Sequence, residues 1–175
     1  MNILNTWIPR AACILVCTLT ACAGTGRLPR DYSVRLDPSM SPDEMQLVLS
    51  ALEAWEGSVV VHFDVSVSTE QCDRSSGSDS KGCVHVEWVD SAPLRAHCQS
   101  SGDVGCEVDF STHGLSSNVY LARDYGLSEP HTLAEHEIGH ALGLYHEPGC
   151  VMTQTNGAGT FQIVQKDIDQ FDSFR

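Results

Sequence analysis

The spacing of apolar residues changes several times along the chain, and each change marks an element. Met45, Val48, Leu49, Leu52 and Trp55 recur at helical intervals and predict an amphipathic helix ending near Glu56. Ser41-Pro42-Asp43-Glu44 in front of them is a capping box with proline at the first helical position. Tyr32 to Leu36 reads as a preceding strand. Val59 to Val67 is β-branched with rough alternation, and its Val59-Val60-Val61 opening predicts a strand buried on both faces. A loop rich in Ser, Gly and Asp follows from Glu70 to Gly82, then a strand over Val84 to Val89. Residues 91–104 are irregular, and Glu107 to Phe110 and Asn118 to Ala122 are short strand candidates. A second helix is predicted from Glu129-Pro130, capped by Ser128, to Leu142. Thr160 caps a third through about Phe174, with Phe161, Val164, Ile168 and Phe171 on one side. Strands interspersed with three helices predict an α+β domain, a twisted mixed β-sheet of about five strands packed on helices.

The amino-terminal pattern is different. Arg10 precedes an apolar run, Ala11 to Leu19, too short to span a bilayer comfortably and placed like the core of an export signal. Leu19-Thr20-Ala21-Cys22 resembles the bacterial lipobox, which implies a signal peptide over residues 1–21 and lipidation of Cys22. Ala21-Cys22-Ala23 also fits an ordinary cleavage site that would release a soluble protein. Residue 23 is Ala rather than Asp, so the lipoprotein reading implies the outer membrane. Residues 22–31 are small and polar, suited to a lipidated tether, and 32–175 hold a single domain.

Acidic residues outnumber basic ones 23 to 10, and one of the ten, Arg10, lies in the export signal. That balance argues against nucleic acid or anionic lipid as a partner. Five cysteines follow Cys22, at 72, 83, 98, 106 and 150. In an exported chain they read as disulfides, and proximity favours Cys72 with Cys83 and Cys98 with Cys106. Five cannot all pair internally, and Cys150 is either the free one or a substitute for another. No C-x-x-C pair suggests a cysteine metal site.

The densest chemistry lies in His136-Glu137-Ile138-Gly139-His140-Ala141-Leu142-Gly143-Leu144-Tyr145-His146. Residues four apart share a helix face, so His136 and His140 can reach one metal ion. Glu137, beside the first ligand, can act as general base on a water at that metal. Gly143 permits a left-handed helix end, after which His146 can return as third ligand. Three histidines leave a coordination position open, as catalytic zinc sites do.

This HExxHxxGxxH pattern, with Met152 six residues after His146, resembles the metzincin clan of zinc endopeptidases and, within it, the compact bacterial matrixin-like peptidases. The resemblance is specific over residues 131–154. It implies Zn²⁺ on His136, His140 and His146, Glu137 as general base, and Met152 as an apolar Met-turn floor. It also implies an edge strand near Glu107 along which substrate lies. Glu147 is the astacin-type residue after the third histidine, which in astacins binds the processed amino terminus. No tyrosine follows Met152, so the subfamily stays open. The implied activity is zinc-dependent endopeptidase action on protein or peptide substrates, by a monomer tethered through its lipid anchor. A non-catalytic zinc-containing lipoprotein acting as a binding module is the alternative. Of the other histidines, His62 and His85 fall in strands and His97, His113 and His131 in loops or at a helix entrance. His97 with His113 can imitate the second, structural zinc site of animal matrixins, although solvated or hydrogen-bonded histidine is the simpler reading.

Overall fold

A computed structural model describes residues 30–78, 81–90, 94, 96–98, 105–109, 115–123, 130–153 and 162–173. Its strands are β1 (Asp31–Leu36), β2 (His62–Val67), β3 (Lys81–Val89), β4 (Gly105–Asp109) and β5 (Ser116–Ala122). Its helices are α1 (Pro42–Ser58), α2 (Pro130–Ala141) and α3 (Gln165–Ser173), and Leu94, Ala96 and His97 are also helical. The strands form one mixed sheet in the order β2-β1-β3-β5-β4. Four run parallel, and β4 is antiparallel to β5 at one edge, with Glu107 opposite Val119. The expected α+β architecture is the observed one.

Pleating assigns the two faces of the sheet. Tyr32, Val34 and Leu36 of β1, Val84, Val86 and Trp88 of β3, and Val119 and Leu121 of β5 join one core. Val48, Ala51, Leu52 and Trp55 of α1 and Ala134, Ile138 and Ala141 of α2 belong to the same cluster. The opposite face carries a smaller cluster of Val89, Leu94, Cys98, Tyr120 and Ala122. Two disulfides staple polar loops to this face, Cys72–Cys83 and Cys98–Cys106, the pairing that proximity favoured. Cys150 is free and buried. These loops carry little apolar surface, so covalent closure limits their unfolded freedom where burial alone would not.

The capping box forms as read. Ser41 accepts from the Glu44 backbone N–H and Glu44 reaches back to the Ser41 N–H at 2.7 Å. Strand β1 starts at Asp31, the last residue assigned to the tether. Strand β2 departs from expectation. It begins only at His62, Val60 is exposed, and within it Phe63 alone is buried. The β-branched run is an edge strand, because β1 pairs with it on one side and then with β3 on the other. Helix α3 starts five residues later than Thr160. Thr160, Phe161, Ser128, Phe110 and His113 lie outside the described residues, as do residues 1–21, expected to be an export signal, and Cys22.

Candidate metal centre

Helix α2 carries His136 and His140 one turn apart, and the chain leaves it through a Schellman motif. Gly143 N–H donates to His140 O at 2.8 Å and Leu144 N–H to Gly139 O at 3.0 Å. Gly143 has φ 88°, a conformation that costs other residues strain. Buried Leu144 anchors the exit, and the chain then brings exposed His146 back beside the helix.

The three Nε2 atoms converge. His136 and His140 are 3.1 Å apart, His140 and His146 3.0 Å, and His146 and His136 3.3 Å. Tetrahedral coordination with metal–nitrogen bonds of about 2.0–2.1 Å separates ligand nitrogens by about 3.3 Å, so the triangle fits one such ion. The ring tautomers agree. His136 Nδ1 donates to Val151 O at 2.7 Å and His140 Nδ1 to Leu144 O at 2.8 Å, because a carbonyl can only accept. With both Nδ1 atoms protonated, the neutral rings present lone pairs to each other at Nε2. Burial, then neighbouring histidines, hold both rings neutral: His136 is lowered from its usual value and His140 to about 4. Converging lone pairs repel unless a cation stands between them. Among the described residues, these three histidines are the group of potential ligand atoms close enough to share one metal ion.

Glu137 faces the start of β4. It is buried, and a Cβ placed on Gly105 would lie 3.0 Å from its Cγ and Oε1. Glycine here lets the edge strand approach the carboxylate closely. The next residue facing the same way is Glu107, whose carboxyl is pushed up to about 7, chiefly by burial. The strand expected over Glu107 to Phe110 is thus the sheet edge beside the metal centre, two residues earlier than read.

Met152, expected in a Met-turn, is fully buried under α2. Its Sδ would be 2.4 Å from a Cβ on Gly139, which lies between the two helical ligands. Gly149, at φ 83°, and Thr153 shape this turn. Thr153 Oγ1 accepts from Gly149 N–H at 2.9 Å, and Glu147 N–H donates to Met152 O at 2.9 Å. Cys150 donates its thiol hydrogen to Glu147 O at 3.0 Å, and burial pushes that thiol up to about 11, leaving it inert as a nucleophile.

Some supporting residues escaped the sequence reading. Trp55 of α1 donates its indole N–H to Glu135 O at 2.9 Å, tying α1 to the ligand helix. Asp167, fully buried in α3, accepts from Val164 N–H at 2.9 Å and from Val151 and Met152 N–H at 3.4 Å each. A signal for it existed. Asp167 is the polar residue on the stripe Val164, Ile168, Phe171, and a carboxylate on a buried stripe needs internal donors. Lys166 and Gln170 bind the segment around His146 from the same helix.

Three of the other histidines are described, each with its own neighbour, while His113, the expected companion of His97, lies outside the described residues. His62 pairs with Glu56 at 3.2 Å, His85 is buried 3.8 Å from Asp37, and His97 stacks on Tyr120 with centroids 4.0 Å apart.

No family model matches the chain, and no curated protein does. Among solved structures, High choriolytic enzyme 1, a hatching-enzyme zinc protease from Oryzias latipes (medaka fish), aligns over 71% of this chain at 16% identity with a TM-score of 0.42. The chain spans about half of that protein, 52% of its length.

Proposed function

We propose that this chain is a zinc-dependent endopeptidase of metzincin type, with His136, His140 and His146 as metal ligands and Glu137 as general base. The observation that carries the reading is the Nε2 triangle of 3.0–3.3 Å with oriented tautomers. Imidazoles without thiolates, and a tetrahedral spacing, suit Zn²⁺. Bound zinc would supply Lewis acidity to a peptide carbonyl and make a water acidic enough to deprotonate near neutrality. The chain's own residues then do the rest. Glu137 takes the water's proton and returns it to the amine nitrogen as the peptide bond breaks. The outer edge of β4 offers backbone donors and acceptors to an extended peptide, and Gly105 brings that edge against Glu137. The bacterial matrixin-like subtype is proposed on the resemblance over residues 131–154, and a monomer is proposed.

Two substitutions test this. Glu137→Gln is expected to keep metal and fold while losing at least ~10²-fold in peptide cleavage, the usual contribution of a positioned base. His140→Ala is expected to lose the metal itself. Stoichiometric zinc retained by His140→Ala would remove the ligand assignment. Full cleavage by Glu137→Gln would assign proton transfer elsewhere, and no cleavage of any peptide library by the wild type would favour the binding-module reading.

The export signal and Cys22 support a lipid-anchored placement, proposed at the bacterial outer membrane. Among the described residues no helix is long and apolar enough to cross a membrane. Mass spectrometry of the mature protein is expected to find acylated Cys22. A mature amino terminus at Gly24 in the soluble fraction would overturn the anchor and leave the enzymatic reading intact.

A further inference from the structure

His146 is held differently from its partners. His136 and His140 ride on a helix, and each ring is fixed by a backbone carbonyl. His146 is exposed and lies outside regular secondary structure, between Leu144 and Glu147. Unsupported, such a segment samples several backbone conformations, few of which place Nε2 within 3.0–3.3 Å of the other two nitrogens.

Helix α3 supplies support on both sides of this residue. Before it, Tyr145 N–H donates to Gln170 Oε1 at 3.1 Å. After it, Lys166 Nζ pairs with Glu147 Oε1 at 2.9 Å and donates to Pro148 O at 2.9 Å, while Gln170 Nε2 reaches Glu147 Oε2 at 3.5 Å. Lys166 and Gln170 are four residues apart, so one helix face carries both. Asp167 beside them fixes α3 to the buried Met-turn, which gives the two polar side chains a rigid base.

We propose that Lys166 and Gln170, acting on Tyr145, Glu147 and Pro148, form a latch that sets the third metal ligand. They are positioning residues, and the inference rests on the metal reading given above. The ion pair is partly exposed, with side chains 34% and 46% accessible, so it contributes little to folding. Its effect falls instead on metal affinity, where ligand geometry tolerates only about ±0.2 Å.

The test uses the full chain, with zinc alone and Co²⁺ as a spectroscopic substitute. Zinc affinity is measured by chelator competition in wild type, Lys166→Met, Gln170→Ala, the double variant and Lys166→Arg. The expected result is about tenfold weaker binding in each single variant, the lower end of what losing an outer-shell partner costs. Urea midpoints of the metal-free proteins stay unchanged, and Co²⁺ absorption is altered where the third ligand has shifted. Lys166→Arg stays near wild type. In a His146→Ala background the latch substitutions have no further effect, because the residue they position is gone. Wild-type affinity in the double variant would overturn the latch, as would equal losses with and without His146. A wild type that binds no zinc at all would instead overturn the metal reading on which the latch depends.

Discussion

Gly139 sits between the two proposed helical ligands, in the last turn of α2, where helix propensity still favours alanine. Replacing glycine by alanine in a helix interior gains about 0.8–1 kcal/mol. Here the added Cβ would stand 2.4 Å from Met152 Sδ and 3.0 Å from Trp55 Cζ2. A comfortable carbon contact is about 3.5–4.0 Å, so the sulfur must retreat by roughly 1 Å or more. Met152 is fully buried, and Trp55 is pinned by its bond to Glu135 O. Overpacking of this kind costs about 1–3 kcal/mol, so the net change for Gly139→Ala is about 0–2 kcal/mol of destabilisation. Gly57 provides the control. It lies exposed in the last turn of α1, and a Cβ there meets nothing within 4 Å, so Gly57→Ala should stabilise by about 0.4–1 kcal/mol. Urea unfolding of both variants in chelator separates the helix effect from metal binding. A second measurement fixes the cause: in a Met152→Ala background the obstructing sulfur is absent, and Gly139→Ala should turn favourable, with a coupling of at least about 1 kcal/mol. Gly139→Ala that stabilises as much as Gly57→Ala, or a cycle without coupling, would refute the packing of Met152 under the ligand helix.

Two further outcomes follow from buried groups. In metal-free protein, His140 titrates at about 4 when folded against 6.5 in a model peptide. The unfolded chain therefore takes up the proton first, and the contribution of His140, full above 6.5, is lost as pH falls toward 4, by about 3 kcal/mol. Glu107, raised from 4.5 to about 7, acts in the opposite sense: its contribution is full below 4.5 and lost as pH rises to 7. Relative to wild type, urea midpoints between pH 4 and 7 should thus rise more steeply with pH in Glu107→Gln and less steeply in His140→Gln, where buried His136 still titrates; profiles parallel to wild type would contradict the burial of the group replaced. Trp55→Phe removes the indole donor to Glu135 O together with part of the buried ring, and should cost at least about 1–2 kcal/mol in unfolding free energy, whereas an unchanged midpoint would show that the bond contributes nothing.

Local rules carried much of this protein. The capping box at Ser41, the helical spacing from Met45 to Trp55, the glycine that ends α2 and the four-residue separation of His136 and His140 depend on neighbours within a turn or two, so they were legible in the sequence. The two disulfide pairs were also suggested by proximity alone. Tertiary structure decided what depends on distant partners. Val59 to Val67 has the composition of a buried strand, yet strand order placed β2 at the sheet edge and left Val60, Val65 and Val67 exposed. Tautomers of His136 and His140 were fixed by carbonyls of Val151 and Leu144, which only the turn around Met152 and the helix exit bring within reach. The work of α3 was the least visible, because Lys166, Asp167 and Gln170 act on residues about 15–25 positions earlier in the chain. A sequence states which side chains can bind a metal. Convergence of three of them to about 3 Å is a property of packing, since it requires the helix, its exit and the turn around Met152 to be fixed against one another at once.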